Sequence, residues 1–217
     1  MDQVTVDDLE VLPLFATPLS RSILKNVSSA ACNFIVNQEF VRMTSNDGDY
    51  SVNKQILECP ELADIKAEIQ TRANLFTHEF LGVHNKFDFQ ITNSWIVRHN
   101  TGDSGGKHRH VNSLLSGVLY INTDNETGDI LFHKEDNLTN VFTDVIKVEY
   151  KDDANLNIYN TQIFRIRPKN NMLLMFPSWV RHSVLENESN KTRYCIAMNF
   201  FPKGTFGESP IDQLTII

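Results

Sequence analysis

The chain's strongest constraint on its own fold lies downstream of Gly82. FDFQITNSWIVRH, LLSGVLYIN, DILFH, NVFTDVIKVEY, IFRIR, NMLLMF and RYCIAMNFF are short runs, apolar throughout or alternating. TGDSGG, NTDNETG, KDDAN, RPKNN and ENESNK separate them. A strand sends successive side chains to opposite faces, so many such runs broken by polar turns predict a β-sandwich or barrel. The aromatic residues agree: 14 Phe stand against 5 Tyr and 2 Trp. Rings without a polar atom suit the dry interior between two sheets.

The first third reads differently. Residues 1–25 are expected to be extended, because Pro13 and Pro18 interrupt any helix, with Leu12, Leu14 and Phe15 against the core. Ser28 or Ser29 caps a helix running to about Met43, with Ala31, Phe34 and Val41 on one side. NDGDYS at 46–51 reads as a loop. A second helix opens with Pro60 in its first turn and closes at Gly82; Leu62, Ile65, Ile69, Phe76 and Phe80 recur at helical steps. The expected organisation is one domain, 1–217. It comprises a helical flank, 1–83, and an all-β core, 84–217, with no flexible linker between them.

Composition narrows the function. A net charge of −7 without a Lys/Arg stripe gives no basis for nucleic-acid binding. Cys32, Cys59 and Cys195 are odd in number and form no CxxC, so a reducing compartment is expected and Cys195 reads as a small core residue. No run approaches the ~18 apolar residues of a membrane span. The start, MDQVTVDDLEVLPLF, is acidic and lacks the basic opening of a signal peptide, so a cytoplasmic protein without membrane partners is expected. Oligomeric state is not legible.

Of the seven histidines, His78, His84, His99 and His133 read as surface or structural residues. His108 and His110 form HRH at the expected start of a strand, where residues i and i+2 share a face about 6.5–7 Å apart. Two imidazoles so placed can converge on one ion, although a lone HxH is common. His182, where an apolar strand resumes after the Pro177 turn, supplies a third. Eleven residues later Arg193 opens the apolar strand RYCIAMNFF. If buried there it needs an anionic partner, and a guanidinium grips a carboxylate through two hydrogen bonds. The plainer alternative is a surface arginine at a strand end.

LFATPLSRSIL, ITNSWIVRH, HRHVNSLLSGVLYIN, TGDILF, LLMFPSWVRHSV and TRYCIAMNFF, in this order, resemble the 2-oxoglutarate and Fe(II)-dependent oxygenase superfamily. The nearest likeness is to its branch in marine bacteria and their phages. That resemblance implies a double-stranded β-helix (a jelly-roll, cupin-like core), Fe(II), 2-oxoglutarate as co-substrate, and ascorbate as a stimulant. It implies residence in the host cytoplasm if the chain is phage-encoded. Carried over by motif, His108, His110 and His182 are the metal ligands, Arg193 binds the far carboxylate of 2-oxoglutarate, and Tyr120 lines the co-substrate pocket. The implied reaction couples decarboxylation of 2-oxoglutarate to succinate and CO2 with hydroxylation of a C–H bond in an amino-acid side chain or small molecule.

One departure stands out. The family pattern is HxD or HxE, and here His110 replaces the acid. Either all three histidines bind iron, or one is outside the ligand set and water or Asp129 of TGDILF completes it. Two rival readings share the histidines: another jelly-roll metalloprotein, such as a cupin-like enzyme or three-histidine dioxygenase, and a non-catalytic binding protein. The helical flank and the Asp/Asn-rich stretch 134–160 are expected to shape the substrate pocket.

Overall fold

A computed structural model describes residues 12, 13, 15–43, 47–134, 157–209 and 211–217. Its elements run β1 (Ser20–Ile23), α1 (Ser29–Val36), β2 (Phe40–Arg42), β3 (Asp49–Ser51) and α2 (Ala63–Asn74). They continue β4 (Asp88–His99), β5 (Gly105–His108), β6 (Leu115–Asn122), β7 (Ile130–His133) and β8 (Ile163–Ile166). The chain ends with β9 (Met172–Pro177), β10 (His182–Val184), β11 (Arg193–Phe206) and β12 (Leu214–Ile216).

Two sheets form the core. The larger has eight strands in the order β1-β9-β6-β11-β4-β3-β2, with β12 hydrogen-bonded to β11; the smaller runs β5-β10-β7-β8. Adjacent strands within each sheet are antiparallel. Alternation along the strands gives the large sheet two unlike faces. Ile96, Leu119, Ile196, Met198 and Phe200 face Ala31 and Ile35 of α1 and Leu62, Ile65, Ile69 and Ala73 around α2. Each Ile, Leu, Met or Phe among them contributes roughly 1.5–3 kcal/mol on full burial. Their sequence neighbours Tyr120 and Cys195 face the small sheet, with Phe132 and Ile166 across the gap.

Several expectations about the flank give way. The Ser28 hydroxyl does cap α1, accepting from Ala31 N at 3.1 Å. The helix nevertheless ends at Val36, not near Met43, with the Asn37 and Gln38 amides donating to the Asn33 and Phe34 carbonyls. Phe40 and Val41 then pair with Ser51 and Tyr50, so 40–51 holds a β-hairpin where helix and loop were expected. β-branched and aromatic residues gain more from a strand partner than from another helical turn. The flank therefore donates β1, β2 and β3 to the large sheet and is not purely helical.

The second helix is composite: a 3-10 turn at Pro60–Leu62, α2, then a π-helical turn at Leu75–Phe80. The π turn shifts the helical phase, which leaves Phe80 exposed although Phe76 is buried. Leu12 and Phe15 are also exposed, against the expectation that they cover the core. Leu14, residues 1–11, the run NVFTDVIKVEY and most of 134–160 lie outside the described residues. Among the described residues no helix is long and apolar enough to cross a membrane.

Candidate metal and co-substrate site

The histidines converge by strand pairing rather than by spacing along one strand. β5 ends at His108 and β10 begins at His182, and these two are direct register partners, with ring centroids 4.3 Å apart. His110 lies beyond β5, so the expected same-face pair on a single strand does not exist. The His110 backbone N–H instead donates to the Ser178 carbonyl at 3.1 Å, tying it to the turn that leads into His182. Its ring sits 5.2 Å from each of the other two. One ring nitrogen from each histidine lies within 4.8 Å of the others.

Their electronic state suits metal ligation. A backbone carbonyl only accepts, so His182 Nδ1–H donates to Val180 O at 3.0 Å and His108 Nδ1–H to Gly106 O at 2.8 Å. Both rings therefore keep an Nε2 lone pair free, the usual arrangement for imidazoles that bind metal. Burial, with His108 beside it, holds His110 down to about 4. Burial and the same neighbour hold His182 down to about 3. Both are neutral at pH 7, as ligands must be. Phe132 and Phe176 lie 6.1 and 4.9 Å from the His182 ring and keep that side dry.

Arg193 is 1% exposed, on the face of β11 that looks toward the small sheet. Its Nη1 donates to Thr127 O at 3.2 Å and Gly128 O at 3.1 Å, and its Nη2 donates to His99 Nδ1 at 2.6 Å. The expected anionic partner is absent among the described residues: every acceptor is neutral. Nε is buried and unpartnered. Tyr120 was expected in the same pocket, and its ring lies 5.9 Å from the Arg193 guanidinium carbon. Burial pushes its phenol above the ordinary range, so it is a neutral donor. Tyr120 and Cys195 share one buried cluster with Phe132 and Phe176, and Phe176 packs on the His182 ring.

Asp129, the alternative ligand, is engaged elsewhere: it pairs with Arg165 Nε and, at 3.5 Å, with Arg167 Nε. It is not part of the histidine group. Of the histidines expected at surface or structural positions, His78, His84 and His133 are bonded to Val83 O, Lys86 N and Ser183 Oγ, apart from the histidine group.

Three residues of the site escaped sequence reasoning. His99 is buried against Arg193. Trp95 is half-buried with its ring 5.9 Å from His110. Asn199 is buried, and its Oδ1 accepts from Ser116 Oγ at 2.9 Å, which leaves the amide N–H groups without a partner among the described residues. The usable signal was alternation in β4, since Trp95, Val97 and His99 fall on one face; Val97 packs in the cluster that holds Tyr120.

A β-helix carrying three converging imidazoles, with a buried, incompletely bonded arginine on the strand after them, is suited to hold a metal ion and an anionic ligand. Residues 93–199 match the sequence profile of a family described as "Putative 2OG-Fe(II) oxygenase". All five expected site residues fall in that segment, so the part of the chain that holds them carries the sequence profile of the 2-oxoglutarate/Fe(II) oxygenases, as the sequence motifs implied.

Solved structures agree on the fold. A prolyl-4-hydroxylase from Pseudomonas putida is 16% identical over 87% of this chain and 94% of its own, with a TM-score of 0.56. A 2OG-Fe(II) oxygenase family oxidoreductase from Burkholderia pseudomallei is 12% identical over 78% and 74%, with a TM-score of 0.53. HygX from Streptomyces hygroscopicus, crystallised with nickel, 2-oxoglutarate and hygromycin B, is 9% identical over 85% and 82%, with a TM-score of 0.55. No curated protein matches by sequence.

Proposed function

We propose that His108, His110 and His182 hold ferrous iron, and that Arg193 holds the distal carboxylate of 2-oxoglutarate. The reaction so served hydroxylates a C–H bond of an amino-acid side chain or small molecule and releases succinate and CO2. The observation that carries this reading is Arg193: a buried cation whose partners are all neutral and whose Nε–H is unused. Such a group is costly unless a bound anion completes it.

The chain's own residues then have distinct tasks. The carbonyls of Val180 and Gly106 fix two imidazole tautomers. His110, in place of an acid, brings no negative charge, so a divalent ion here keeps its full charge and attracts an anionic co-substrate more strongly. Arg193 fixes the co-substrate's far end, and Tyr120 beside it offers a neutral hydroxyl. Bound iron supplies the redox chemistry with dioxygen. The half-buried Trp95 ring stands beside His110, and the buried Asn199 amide keeps N–H groups without a partner among the described residues. This favours a neutral, hydrogen-bonding substrate group.

The replacement of the acid by His110 also suits a three-histidine dioxygenase that needs no keto acid. Arg193 argues against it, and binding of 2-oxoglutarate separates the two. The narrower likeness to oxygenases of marine bacteria and their phages rests on the sequence stretches alone. The deciding experiment is succinate release under Fe(II), 2-oxoglutarate and ascorbate across a panel of amino acids, peptides and neutral small molecules. Succinate formation that rises with one panel member supports the reading. Metal-loaded protein that neither binds 2-oxoglutarate nor forms succinate would falsify it.

A further inference from the structure

Arg193 has five N–H groups. Two on Nη1 go to the Thr127 and Gly128 carbonyls, and one on Nη2 goes to His99 Nδ1. One remains on Nη2 and one on Nε, on adjacent nitrogens, which matches the two oxygens of a single carboxylate. Because Nδ1 of His99 accepts, its ring is neutral. An aspartate in its place would hold the guanidinium equally well but would cancel its charge, and an incoming carboxylate would have to compete with it.

His99 is itself held from behind. Gly48, in the turn between β2 and β3, has φ +84°, and a Cβ there would overlap the His99 ring. The Asp47 backbone hydrogen bonds the same histidine. The hairpin is anchored by Arg42 Nη1 on Asp103 at 2.9 Å and by Asp49 on Arg98 Nη2 at 2.7 Å. Asp103 also accepts from Asn100 N at 2.8 Å, so the residues on both sides of His99 are fixed.

We infer that His99, seated by the β2–β3 hairpin, is a positioning residue. It holds the Arg193 guanidinium through a neutral acceptor, so that the charge and two free N–H groups are left for the distal carboxylate of 2-oxoglutarate. This rests on the assignment of Arg193 to that carboxylate. The hairpin, which lies outside the segment shared with the family, becomes part of the co-substrate site through one ring contact.

The test uses full-length protein loaded with Ni(II) and titrated calorimetrically with two probes: 2-oxoglutarate, and 2-oxovalerate, which has the same chelating end and no distal carboxylate. His99→Leu is expected to weaken 2-oxoglutarate by about tenfold or more, the worth of one hydrogen bond to a charged group, and to leave 2-oxovalerate unchanged. His99→Asn, which keeps an acceptor near the Nδ1 position, is expected to recover most of the loss. Gly48→Ala, which touches no co-substrate, is expected to reproduce the His99→Leu pattern and carries the test if His99→Leu does not fold.

A selectivity between the two acids that is unchanged in both His99→Leu and Gly48→Ala overturns the inference. So does equal weakening of both acids. Arg193→Met separates the layers. If it binds 2-oxoglutarate like the wild type, the carboxylate assignment fails. If it weakens binding and His99→Leu does not, only the positioning role fails. In the metal-free protein, 15N spectra of histidine should show His99 as the Nε2–H tautomer, and a Nδ1–H or cationic ring overturns the inference without reference to any ligand.

Discussion

The two faces of the large sheet are made from alternate residues of the same strands, yet they carry opposite chemistry. Toward the helices stand Ile96, Leu119, Ile196, Met198 and Phe200, closely packed and without a polar atom. Toward the small sheet stand His99, Ser116, Tyr120, Arg193 and Asn199, all buried and most hydrogen-bonded. The first face needs only volume and apolarity, and it stabilises the fold with no geometric demand beyond fit. The second tolerates burial only because its polar groups satisfy one another, so the few donors left over mark where a ligand belongs. A single register therefore separates stability from chemistry: a slip of one residue would exchange the faces.

Substitutions on the two faces should accordingly fail in different ways. The largest effect is expected from His182→Ala on the inner face. It removes the histidine that pairs with His108 and sits against His110, and succinate release should fall by at least ~100-fold, since even changes behind a ligand cost 10–100-fold. Far-ultraviolet circular dichroism should remain that of the wild type. Retention of wild-type turnover would remove the histidine cluster from the chemistry.

On the helical face, Ile196→Ala should cost about 2–5 kcal/mol of stability by leaving a cavity. The remaining folded protein should bind 2-oxoglutarate normally. Denaturant unfolding paired with calorimetry checks both halves, and an equal loss of affinity would show that the faces are not separable.

The inner face also makes metal-free protein sensitive to acid. Burial holds His99 and His182 down to about 3 and His110 to about 4. In the unfolded chain each titrates near ~6.5. Between these values the unfolded state binds more protons, so stability is full above about 6.5 and falls as pH drops toward the folded values. Metal-free His182→Ala should lose less melting temperature between pH 7 and pH 5 than the wild type does. An equal loss in both proteins would mean that the buried imidazole is not the sensor.

The smallest effect is expected from His110→Asp. Aspartate gives an oxygen donor suited to ferrous iron at the position where the motif resemblance implies an acid. Uncoupled decarboxylation of 2-oxoglutarate should remain measurable, within about tenfold of the wild type. Normal iron binding with no turnover would show that three imidazoles are required.

Local pattern accounts for what was legible beforehand. The period-2 runs fixed the β core, and the steps among Leu62, Ile65 and Ile69 fixed a helix, because each depends on residues a few positions apart. The set of His108, His110, His182 and Arg193 was also visible, since motif order survives in the chain. The fate of residues 37–51 was not, because a hairpin exists only where β4 offers Asp49 and Tyr50 a partner.

Nor was the means by which His110 approaches His182, which depends on a backbone bond to Ser178. Tertiary structure decided, above all, that Arg193 is held by neutral groups and Asp129 by two arginines. His99 and Arg193 are 94 residues apart, and Arg193 and Thr127 are 66 apart. Whether a buried charge is satisfied or left waiting depends on every group that surrounds it, and those groups are gathered only when distant strands pair.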